Sequence, residues 1–542
     1  MADCTVPRTR LPEALDRVAA IARKYELSHG NVFHAGDGNL HPLLLFDSRD
    51  PRQVERVHEA GREIMEACVG LGGTISGEHG IGMEKSDAMR LICSEDDLHV
   101  QRQLREAFDP HALLNPGKIL PPARRTDFQS VTEDGLEIRP TPDPPQREWA
   151  DGGDLIPTDA AEACAMVARA VIDDVALLPL GAGTRSGCGI RSQHATTGLR
   201  SVGLCEVVEH DPPNQVIAVG AGTTLDSLQE LLAEHGQWLP LRPPPGGNRT
   251  LGGIVATGAC GAERLRYGAP RDLLLGLKFV SGAGRLISTG GRVVKNVAGY
   301  DLTRLLVGSA GTLGLITELT FRVASLPQCC TAVSATGSFP QCAAAAAKLL
   351  QTQLEPNLVV GAPDRPDLTA GDDDTWRLTV AFEGFAETVQ YQLEHCETLL
   401  NEADLNVEDR NDYAVRRGPC AEWFDVLEQS PLLVQVDLPP DRVAGFASAC
   451  GDLLYGAGVT VDFGCGRIRA AMADVPDAAW DRIGQEATAA GGHATAEKAT
   501  EEFARRHDVF GPPRPDWPLM HRIKWALDPH HVFAPGRLPG GA

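Results

Sequence analysis

The sequence lacks the features that would place it in a membrane or on nucleic acid. No apolar run approaches the roughly 20 residues that a helix needs to cross a bilayer, and the first residues show no signal-peptide pattern. Positive charge is scarce, since 50 Lys and Arg face 73 Asp and Glu for a net charge of −23. This charge argues against nucleic acid or an anionic membrane surface as the main partner. These absences predict a cytoplasmic protein, with peripheral attachment to the inner membrane through partners as the alternative.

The cysteines lack the spacing of a metal or cluster site. The 14 cysteines are scattered and form no C-x-x-C pair, so the chain offers no cysteine framework for an iron–sulfur cluster. Scattered cysteines are typical of reduced, buried thiols in a reducing compartment. The length of 542 residues predicts two to four domains.

Glycine, by contrast, is plentiful and first clusters after the apolar run 175–178, which is typical of a buried strand. The stretch 180–189 has glycine at four positions, and successive N–H groups in such a loop can bind phosphate oxygens. The side chains of Thr184, Arg185 and Ser186 add hydrogen-bond donors at the same place. The spacing is not G-x-G-x-x-G, so a Rossmann site is not indicated. The stretch predicts a pyrophosphate loop, with a plain glycine-rich turn as the alternative.

Two further glycine-rich stretches follow in a region where helix and strand patterns alternate. Residues 243–258 contain many small residues, which suit a backbone that passes close to a flat cofactor. Residues 308–318 form a third stretch that leads into a strand-like run. Three such stretches in one α/β region favour a nucleotide-cofactor site over a set of turns.

The N-terminal block carries histidines in a different setting. His34 and His41 flank a Gly-Asp-Gly sequence between two strand-like runs. Residues seven apart in a straight strand point to opposite faces, but a turn at the glycines can bring the two histidines together. Glu78 and His79 follow between glycines. Two imidazoles and one carboxylate suit zinc or manganese, and plain surface or core residues are the alternative.

Three strings in this block carry a family resemblance: F-H-A-G-D-G-N-L-H at 33–41, G-E-H-G-I-G at 77–82, and the F-D-P and L-N-P-G-K pieces within 108–118. Together they resemble the C-terminal part of FAD-linked 2-hydroxy-acid dehydrogenases of the glycolate oxidase type, over about residues 5–122. The resemblance implies that a divalent metal is held by His34, His41 and Glu78. It also implies that His79 is the catalytic base.

In that family, an FAD domain and the first half of a cap domain precede the matching block. The resemblance therefore implies a site that is completed by a separate fragment, the front half of a glycolate oxidase catalytic subunit. It further implies an iron–sulfur subunit as the electron acceptor.

The glycine stretches, together with the run K-N-V-A-G-Y-D-L at 295–302, resemble the FAD-binding domain of the vanillyl-alcohol oxidase/PCMH family. The K-N-V-A-G-Y-D-L run is similar to the FAD-binding subunit of glycolate oxidase. The resemblance implies one non-covalently bound FAD, with the pyrophosphate at the first stretch and the flavin against the other two. The residues so implied are Gly181, Ala182, Gly183, Thr184, Arg185, Ser186, Thr250, Gly252, Gly253, Ala256, Thr257, Gly258, Gly311, Thr312, Gly314 and Ile316.

We therefore expect an α+β chain of several parts. These are a partial FAD-linked oxidase C-terminal cap unit (1–122), a flexible proline-rich linker (123–149), a PCMH-type FAD-binding domain (150–328) and a ferredoxin-like antiparallel cap (329–542). An ordered active-site lid is the alternative for the linker. The tail at 527–537 repeats the pattern at 108–118, which favours two homologous units joined by gene fusion.

The function that these resemblances imply is that of a subunit of an FAD-dependent glycolate dehydrogenase or oxidase. The enzyme would oxidise glycolate to the 2-oxo acid, with hydride transfer to FAD and electrons passed to the iron–sulfur partner. D-Lactate or another 2-hydroxy acid is an alternative substrate. A non-catalytic assembly subunit that only holds FAD is the alternative function. A metal-dependent hydrolase would leave the glycine stretches without a role.

Overall fold

A computed structural model describes residues 3–123, 131–132, 135–136, 153–185, 196–244, 247–364, 375–454 and 458–541. The predicted linker lies mostly outside the described residues, and Ser186 lies outside them. Helices and sheets are mixed throughout the described part, so the predicted α+β class is confirmed. None of the helices in these ranges is both long and apolar enough to cross a bilayer.

The N-terminal block packs two helices against a small antiparallel sheet of strand order β1-β3-β2. Local sequence explains where its longer helices begin. Asp50 accepts a hydrogen bond from the N–H of Arg52 and precedes a proline, and Ser94 forms a capping box with Asp97. The elements are β1 (Cys4–Thr5), α1 (Leu11–Lys24), β2 (Ser28–His34), β3 (Asn39–Leu45), α2 (Pro51–Gly70) and α3 (Glu95–Phe108). A short hairpin of β4 (Val131–Thr132) and β5 (Gly135–Leu136) follows.

The middle unit contains a parallel pair, β6-β7, and a five-stranded antiparallel sheet of order β12-β11-β13-β9-β8. Buried apolar side chains from both faces form its core. Its elements are α4 (Ala160–Ile172), β6 (Ala176–Leu180), β7 (Thr196–Arg200), β8 (Val207–Asp211), β9 (Val216–Gly220), α5 (Leu225–Ala233), β10 (Gln237–Trp238), α6 (Leu251–Thr257), α7 (Arg264–Tyr267), α8 (Pro270–Leu273), β11 (Leu274–Val280), β12 (Leu286–Gly290), α9 (Leu302–Leu306), β13 (Leu315–Arg322) and β14 (Ala324–Ser325).

The third unit is a nine-stranded antiparallel sheet whose main strand order is β18-β15-β17-β16-β21-β22-β20-β23. It shares one large apolar core with its helices. Its elements are β15 (Cys329–Ser338), α10 (Phe339–Leu349), β16 (Leu358–Pro363), β17 (Thr375–Gly384), α11 (Ala386–Glu402), β18 (Asn406–Val407), β19 (Asn411–Asp412), α12 (Ala421–Gln429), β20 (Leu432–Asp437), α13 (Val443–Ala449), α14 (Gly451–Leu454), β21 (Val459–Asp462), β22 (Arg467–Met472), α15 (Asp477–Ala489), β23 (His493–Lys498), α16 (Glu501–Arg506) and α17 (Trp517–Leu527).

The last helix and the tail after it return to the middle unit, although the predicted division assigns them to the cap. Helix α17 packs against α3 and contributes Ile523 and Leu527 to the core of the middle unit. The N–H of Leu177 donates to the carbonyl oxygen of Val532 at 2.7 Å, so the tail extends the β6-β7 pair. Helix α3 of the N-terminal block joins the same core through Val100 and Leu104. The N-terminal block and the middle unit are thus packed together.

Candidate functional site

A cleft opens where the loop after β6, helix α6 and the segment before β13 meet. The structure brings the three glycine stretches together there, although they are far apart in the sequence. Thirteen of the sixteen residues expected to bind FAD line it: Gly181, Ala182, Gly183, Thr184, Arg185, Thr250, Gly252, Gly253, Ala256, Thr257, Gly311, Gly314 and Ile316.

Close backbone packing explains why glycine is needed in this cleft. A Cβ added at Gly181 would lie 1.9 Å from the Oγ1 of Thr250, and one at Gly252 would lie 2.9 Å from the Cβ of Ala221. The N–H of Gly252 donates to the carbonyl of Ala221 at 2.8 Å. The glycines therefore bring peptide backbone to the wall of the cleft, which suits the close approach of a dinucleotide. These residues fit FAD.

Two of the expected residues in the described part of the chain do not line the cleft, and Ser186 lies outside the described residues. Gly258 ends helix α6 with a φ of 64°, a left-handed conformation that favours glycine at a helix end. Thr312 is buried, and its hydroxyl donates to the carbonyl of Ser309 at 2.7 Å. The last two positions thus shape the turns that hold the cleft.

Nine further residues line the cleft beside the thirteen that were expected individually. Some of them lie inside the quoted stretches or directly beside them, but Ser201 and Arg537 come from elsewhere in the chain. Arg537 belongs to the C-terminal tail, and only the repeat of the tail pattern pointed to that segment. The nine residues are Pro179, Leu180, Ser201, Arg249, Ile254, Ala259, Ala310, Leu315 and Arg537.

Arg185 ties the loop after β6 to the third unit. Its guanidinium donates to Glu428 at 2.6 Å and to Glu497 at 2.5 Å, and Arg469 contacts Glu497 at 3.1 Å. Burial acts to raise the pKa of Glu497, but Arg469 and then Arg185 outweigh it and the pKa is lowered. The carboxylate thus stays charged, and it holds Arg185 against the third unit.

The second site lies in the N-terminal block, where the turn between β2 and β3 brings His34 and His41 close together. The hairpin pairs His34 with Asn39 and Val32 with His41, so both histidines lie on one face of the sheet. Their ring centroids are 5.5 Å apart. Side chains alternate between the two faces along a single strand, but His34 and His41 lie on two strands because the chain reverses direction between them.

Glu78 and His79 reach the same place from the loop after α2. The carboxylate of Glu78 lies 3.8 Å from the Nε2 of His34 and 3.8 Å from the Nε2 of His41. The ring of His79 stacks on His41 with centroids 5.0 Å apart and planes 17° from parallel. The side chains expected to hold the metal and to serve as the base therefore form one cluster.

Asp3 organises this cluster, and sequence reasoning missed it. One carboxylate oxygen accepts hydrogen bonds from the hydroxyl of Ser76 at 2.9 Å and from the N–H groups of Gly77, Glu78 and His79 at 3.1, 3.0 and 2.8 Å. Burial acts to raise the pKa of Asp3, but the N–H groups of His79 and Glu78 outweigh it and the pKa is lowered. No local pattern marks this residue, because its partners lie more than 70 positions away.

The other oxygen of Asp3 lies beside His41. Its Oδ1 is 3.7 Å from the Nδ1 of His41, and neither of these buried atoms has a hydrogen-bond partner among the described residues. The Nε2 of His41 lies 3.4 Å from the amide nitrogen of Asn39, so a metal bound at Nε2 would replace that contact. The ligand atoms of His34, His41 and Glu78 lie within 4.8 Å of one another. The donor set thus fits a divalent ion.

A lysine of the middle unit also reaches the cluster. The ammonium group of Lys295 contacts Glu78 and lies 2.7 Å from Asp37. Its hydrogen bonds to Asp37 and then Glu78 raise the pKa of Lys295, and the same contact lowers the pKa of Glu78. Lys295 lies in the K-N-V-A-G-Y-D-L run, but nothing in that run indicated contact with the histidines. The cluster is thus shared between two units.

Two family models match the chain in separate stretches. Residues 1–119 match the C-terminal domain of FAD linked oxidases, and residues 153–290 match an FAD binding domain. The first stretch contains the histidine cluster, and the second contains much of the cleft.

Curated relatives divide the chain in the same way. The Escherichia coli K12 glycolate oxidase subunit GlcD is 48% identical over 123 residues, which are 23% of this chain and 25% of that protein. The GlcE subunit of the same organism is 30% identical over 384 residues, which are 69% of this chain and 95% of that protein. A D-lactate dehydrogenase of Archaeoglobus fulgidus is 37% identical over 168 residues, 31% of this chain and 37% of that protein. The chain thus spans about a quarter of GlcD and nearly all of GlcE.

Among solved structures, an alkyldihydroxyacetonephosphate synthase superposes with a TM-score of 0.51 at 17% identity, covering 70% of this chain and 76% of that one. This likeness shows a shared fold. The stretches matched, the near-complete coverage of GlcE and the glycine-lined cleft lead to one assignment: the chain belongs to the FAD-linked oxidases, as an oxidoreductase related to glycolate oxidase subunits and D-lactate dehydrogenases.

Proposed function

We propose that the protein is a subunit of an FAD-dependent glycolate dehydrogenase that oxidises a 2-hydroxy acid to the 2-oxo acid. The observation that carries this proposal is the cluster of His34, His41, Glu78 and His79, which lies in the stretch similar to GlcD. We also propose the division into a block at 1–122, a linker at 123–149, an FAD-binding domain at 150–328 and a cap at 329–542. The two matched stretches in tandem support a gene fusion.

In this proposal, His34, His41 and Glu78 hold zinc or manganese. A bound ion would supply the Lewis-acid chemistry that lowers the pKa of the hydroxyl of the acid. Asp3, whose Oδ1 lies 3.7 Å from the Nδ1 of His41, would orient the ring of His41. His79, whose backbone N–H is held by Asp3 at 2.8 Å, takes the hydroxyl proton. FAD, when bound, supplies the acceptor for the hydride that leaves the Cα carbon.

The N-terminal sheet supports a partner that completes this site. Strand β2 pairs only with β3 among the described strands, and its residues Val32 and Phe33 are exposed. An exposed edge strand of this kind readily accepts another strand. We propose that the front half of a glycolate oxidase catalytic subunit pairs there. Electrons then pass to an iron–sulfur subunit.

Two other functions each have one observation in their favour. The similarity to a D-lactate dehydrogenase supports D-lactate as an alternative substrate. The contact of Lys295 with Glu78 favours an assembly subunit that holds FAD without catalysis. The lysine ammonium neutralises the negative charge of the Glu78 carboxylate, which a metal would need as a ligand.

Anaerobic mixing with substrate separates these functions. We expect the purified chain to contain one FAD and bound metal, and its flavin absorbance to stay constant with glycolate until the front-half fragment is added. Replacing His79 with Gln is then expected to slow the bleaching by about 10²- to 10⁴-fold, the range of a lost general base. Faster bleaching with D-lactate would favour the second substrate.

Two results would contradict the proposal. If the chain alone bleaches with glycolate, the N-terminal block acts on the flavin of this chain and the split site is wrong. If FAD binds but no metal binds, and no fragment restores bleaching, the assembly function is the better one.

A further inference from the structure

Two tails in the chain follow the same pattern, one after each of the packed helices α3 and α17. The first runs from Asp109-Pro110 to Gly117-Lys118, and the second from Asp528-Pro529 to Gly536-Arg537. Alignment on the aspartates places Leu113 opposite Val532 and Leu114 opposite Phe533. The two tails can therefore be compared residue by residue.

Their hydrogen bonds correspond. In the first tail, the carboxylate of Asp109 accepts from the N–H groups of Leu113 at 3.0 Å and Leu114 at 2.7 Å. In the second, Asp528 accepts from Val532 at 3.0 Å and Phe533 at 2.8 Å. The first tail thus has the same aspartate-closed turn as the second.

Their backbone angles correspond as well. Left-handed φ values occur at the same three places, with Ala112 at 51° against His531 at 51°, Asn115 at 46° against Ala534 at 43°, and Gly117 at 73° against Gly536 at 79°. Two non-glycine residues adopt this rare conformation in each tail. The first tail is therefore already folded in the shape of the second.

The second tail shows what this shape binds. The carbonyl of Val532 and the N–H of Ala534 each form a 2.7 Å hydrogen bond with Leu177 of β6. The side chain of Phe533 is fully buried against the core beside β6. Arg537 then lines the cleft that fits FAD. The shape is a docking strand for the edge of an FAD-binding domain.

The first tail is bound to no comparable strand in the described part of the chain. Phe108, Leu113 and Leu114 are 52%, 76% and 66% exposed, whereas their counterparts Leu527, Val532 and Phe533 are 2%, 4% and 0% exposed. Among the described residues, the carbonyl of Leu113 and the N–H of Asn115 form no backbone bond like those to Leu177. An apolar, preformed strand exposed in this way marks an interaction site.

We propose that residues 108–118 dock onto the strand before the pyrophosphate loop of a second FAD-binding domain, carried by another polypeptide. Leu113 and Leu114 take the places of Val532 and Phe533, and Lys118 comes to the FAD cleft of that domain where Arg537 comes to this one. A second copy of this chain does not fit, because its own β6 is already paired with its own tail. The choice of polypeptide rests on the proposed function, in which the partner is the front half of a catalytic subunit.

A graft within the full chain tests the docking competence of the first tail. Val532→Leu with Phe533→Leu writes Leu113 and Leu114 of the first tail into the second tail and leaves Arg537 in place. We expect FAD content to stay within about twofold of the wild type, because both swaps are apolar and their summed volume stays roughly constant. Val532→Asp with Phe533→Asp is the control that should lose FAD. A graft that loses FAD as fully as this control would count against the proposal.

A binding measurement tests the docking between chains. The probe is E. coli GlcD shortened by the 123-residue stretch that this chain matches, co-expressed with the full chain. We expect a stable complex, weakened about tenfold or more by Leu113→Asp with Leu114→Asp, as for an apolar anchor at an interface. Phe385→Asp, at another exposed aromatic, is the matched control and should bind like the wild type.

The outcomes separate the docking from the proposed function. No complex with the wild type, or equal binding by the Leu113/Leu114 variant, would overturn the docking whatever the activity. A complex that the variant weakens but that oxidises neither glycolate nor D-lactate would leave the docking intact and remove the proposed function. Self-association of the chain abolished by the same variant would identify a second copy as the occupant and overturn the proposal.

Discussion

Lys295 is the side chain through which the middle unit reaches the histidine cluster. Its ammonium group lies against Glu78 and 2.7 Å from Asp37, so it holds a positive charge where a divalent ion would bind. A cation and a lysine compete for the same carboxylate, since like charges a few ångströms apart repel by about 1 kcal/mol even in water.

Replacing Lys295 with Gln should therefore tighten metal binding. We expect the affinity for Zn²⁺ or Mn²⁺ to rise about fivefold to tenfold, which corresponds to the loss of roughly 1 kcal/mol of repulsion. Isothermal titration of the full chain measures it. Lys278→Gln is the matched control, because Lys278 pairs with Glu318 at 2.7 Å in the middle unit. Equal or weaker binding in the Lys295 variant would show that the lysine does not compete with the ion.

Asp3 should contribute to stability in a pH-dependent way. Replacing Asp3 with Asn is expected to lower the free energy of unfolding at pH 7 by about 1–3 kcal/mol, because buried N–H groups lose a charged acceptor. The folded-state pKa of Asp3 is below its ordinary value of 3.8. Its contribution is therefore complete above that value and is lost as the pH falls through the folded-state pKa.

Chemical denaturation of both proteins at several pH values checks this. The difference between wild type and variant should be full at pH 7 and should shrink below about pH 4. Asp47→Asn is the control, since Asp47 forms an exposed pair with Arg49 and such pairs contribute little. A difference that does not change with pH would mean that the charge of Asp3 is not what stabilises the loop.

At the scale of elements, the FAD cleft depends on the loop after β6 lying directly against the start of α6. Gly181 and Thr250 are the contact points, and the added Cβ distance of 1.9 Å leaves no room for a side chain. The cleft is thus a product of two elements that must approach within backbone contact.

Gly181→Ala should separate these elements and reduce FAD binding. We expect at least about a tenfold loss of FAD affinity, because a backbone shift of even 1 Å costs several contacts in a packed site. The flavin content of the purified protein and its fluorescence titration measure this. Gly445→Ala is the control, because a Cβ there meets nothing within 4 Å. Unchanged FAD binding in Gly181→Ala would mean that the loop does not carry the cofactor.

At the scale of the whole molecule, helix α3 joins the N-terminal block to the middle unit. The side-chain oxygen of Gln101 accepts from the N–H of Tyr300 at 3.0 Å, and Asp97 accepts from the N–H of Ser288 at 2.7 Å. Both acceptors are buried. The first contact lies within the K-N-V-A-G-Y-D-L run and the second lies before it, so helix α3 holds this segment, and with it Lys295, near the histidines.

Gln101→Ala should loosen this junction. Leaving the partly buried N–H of Tyr300 without its acceptor costs about 1–3 kcal/mol, so the exchange of that amide with deuterium should speed up by about tenfold or more. Mass-spectrometric hydrogen exchange measures it. Gln390→Ala, on the exposed face of α11 where Gln390 pairs with Glu394, is the control. Unchanged protection at Tyr300 would show that other contacts hold the junction.

The sequence by itself determined the local features: the strand and helix pattern, the three glycine stretches and the four side chains of the histidine cluster. These follow from short-range chemistry, such as glycine at close backbone approaches and a Gly-Asp-Gly turn that reverses the chain between His34 and His41. The family was also predictable, because its strings are continuous in the sequence.

Only the tertiary structure decided which distant residues join these features. Asp3, Lys295 and Arg537 reach their sites across 70 or more positions or from another unit, and no periodicity records such contacts. The tertiary structure also decided which side chains are buried. Leu114 and Phe533 occupy matching positions in matching turns, yet Leu114 is exposed and Phe533 is buried. The physical reason is that a local conformation is set by neighbouring residues, whereas burial depends on which surface of the folded molecule lies opposite.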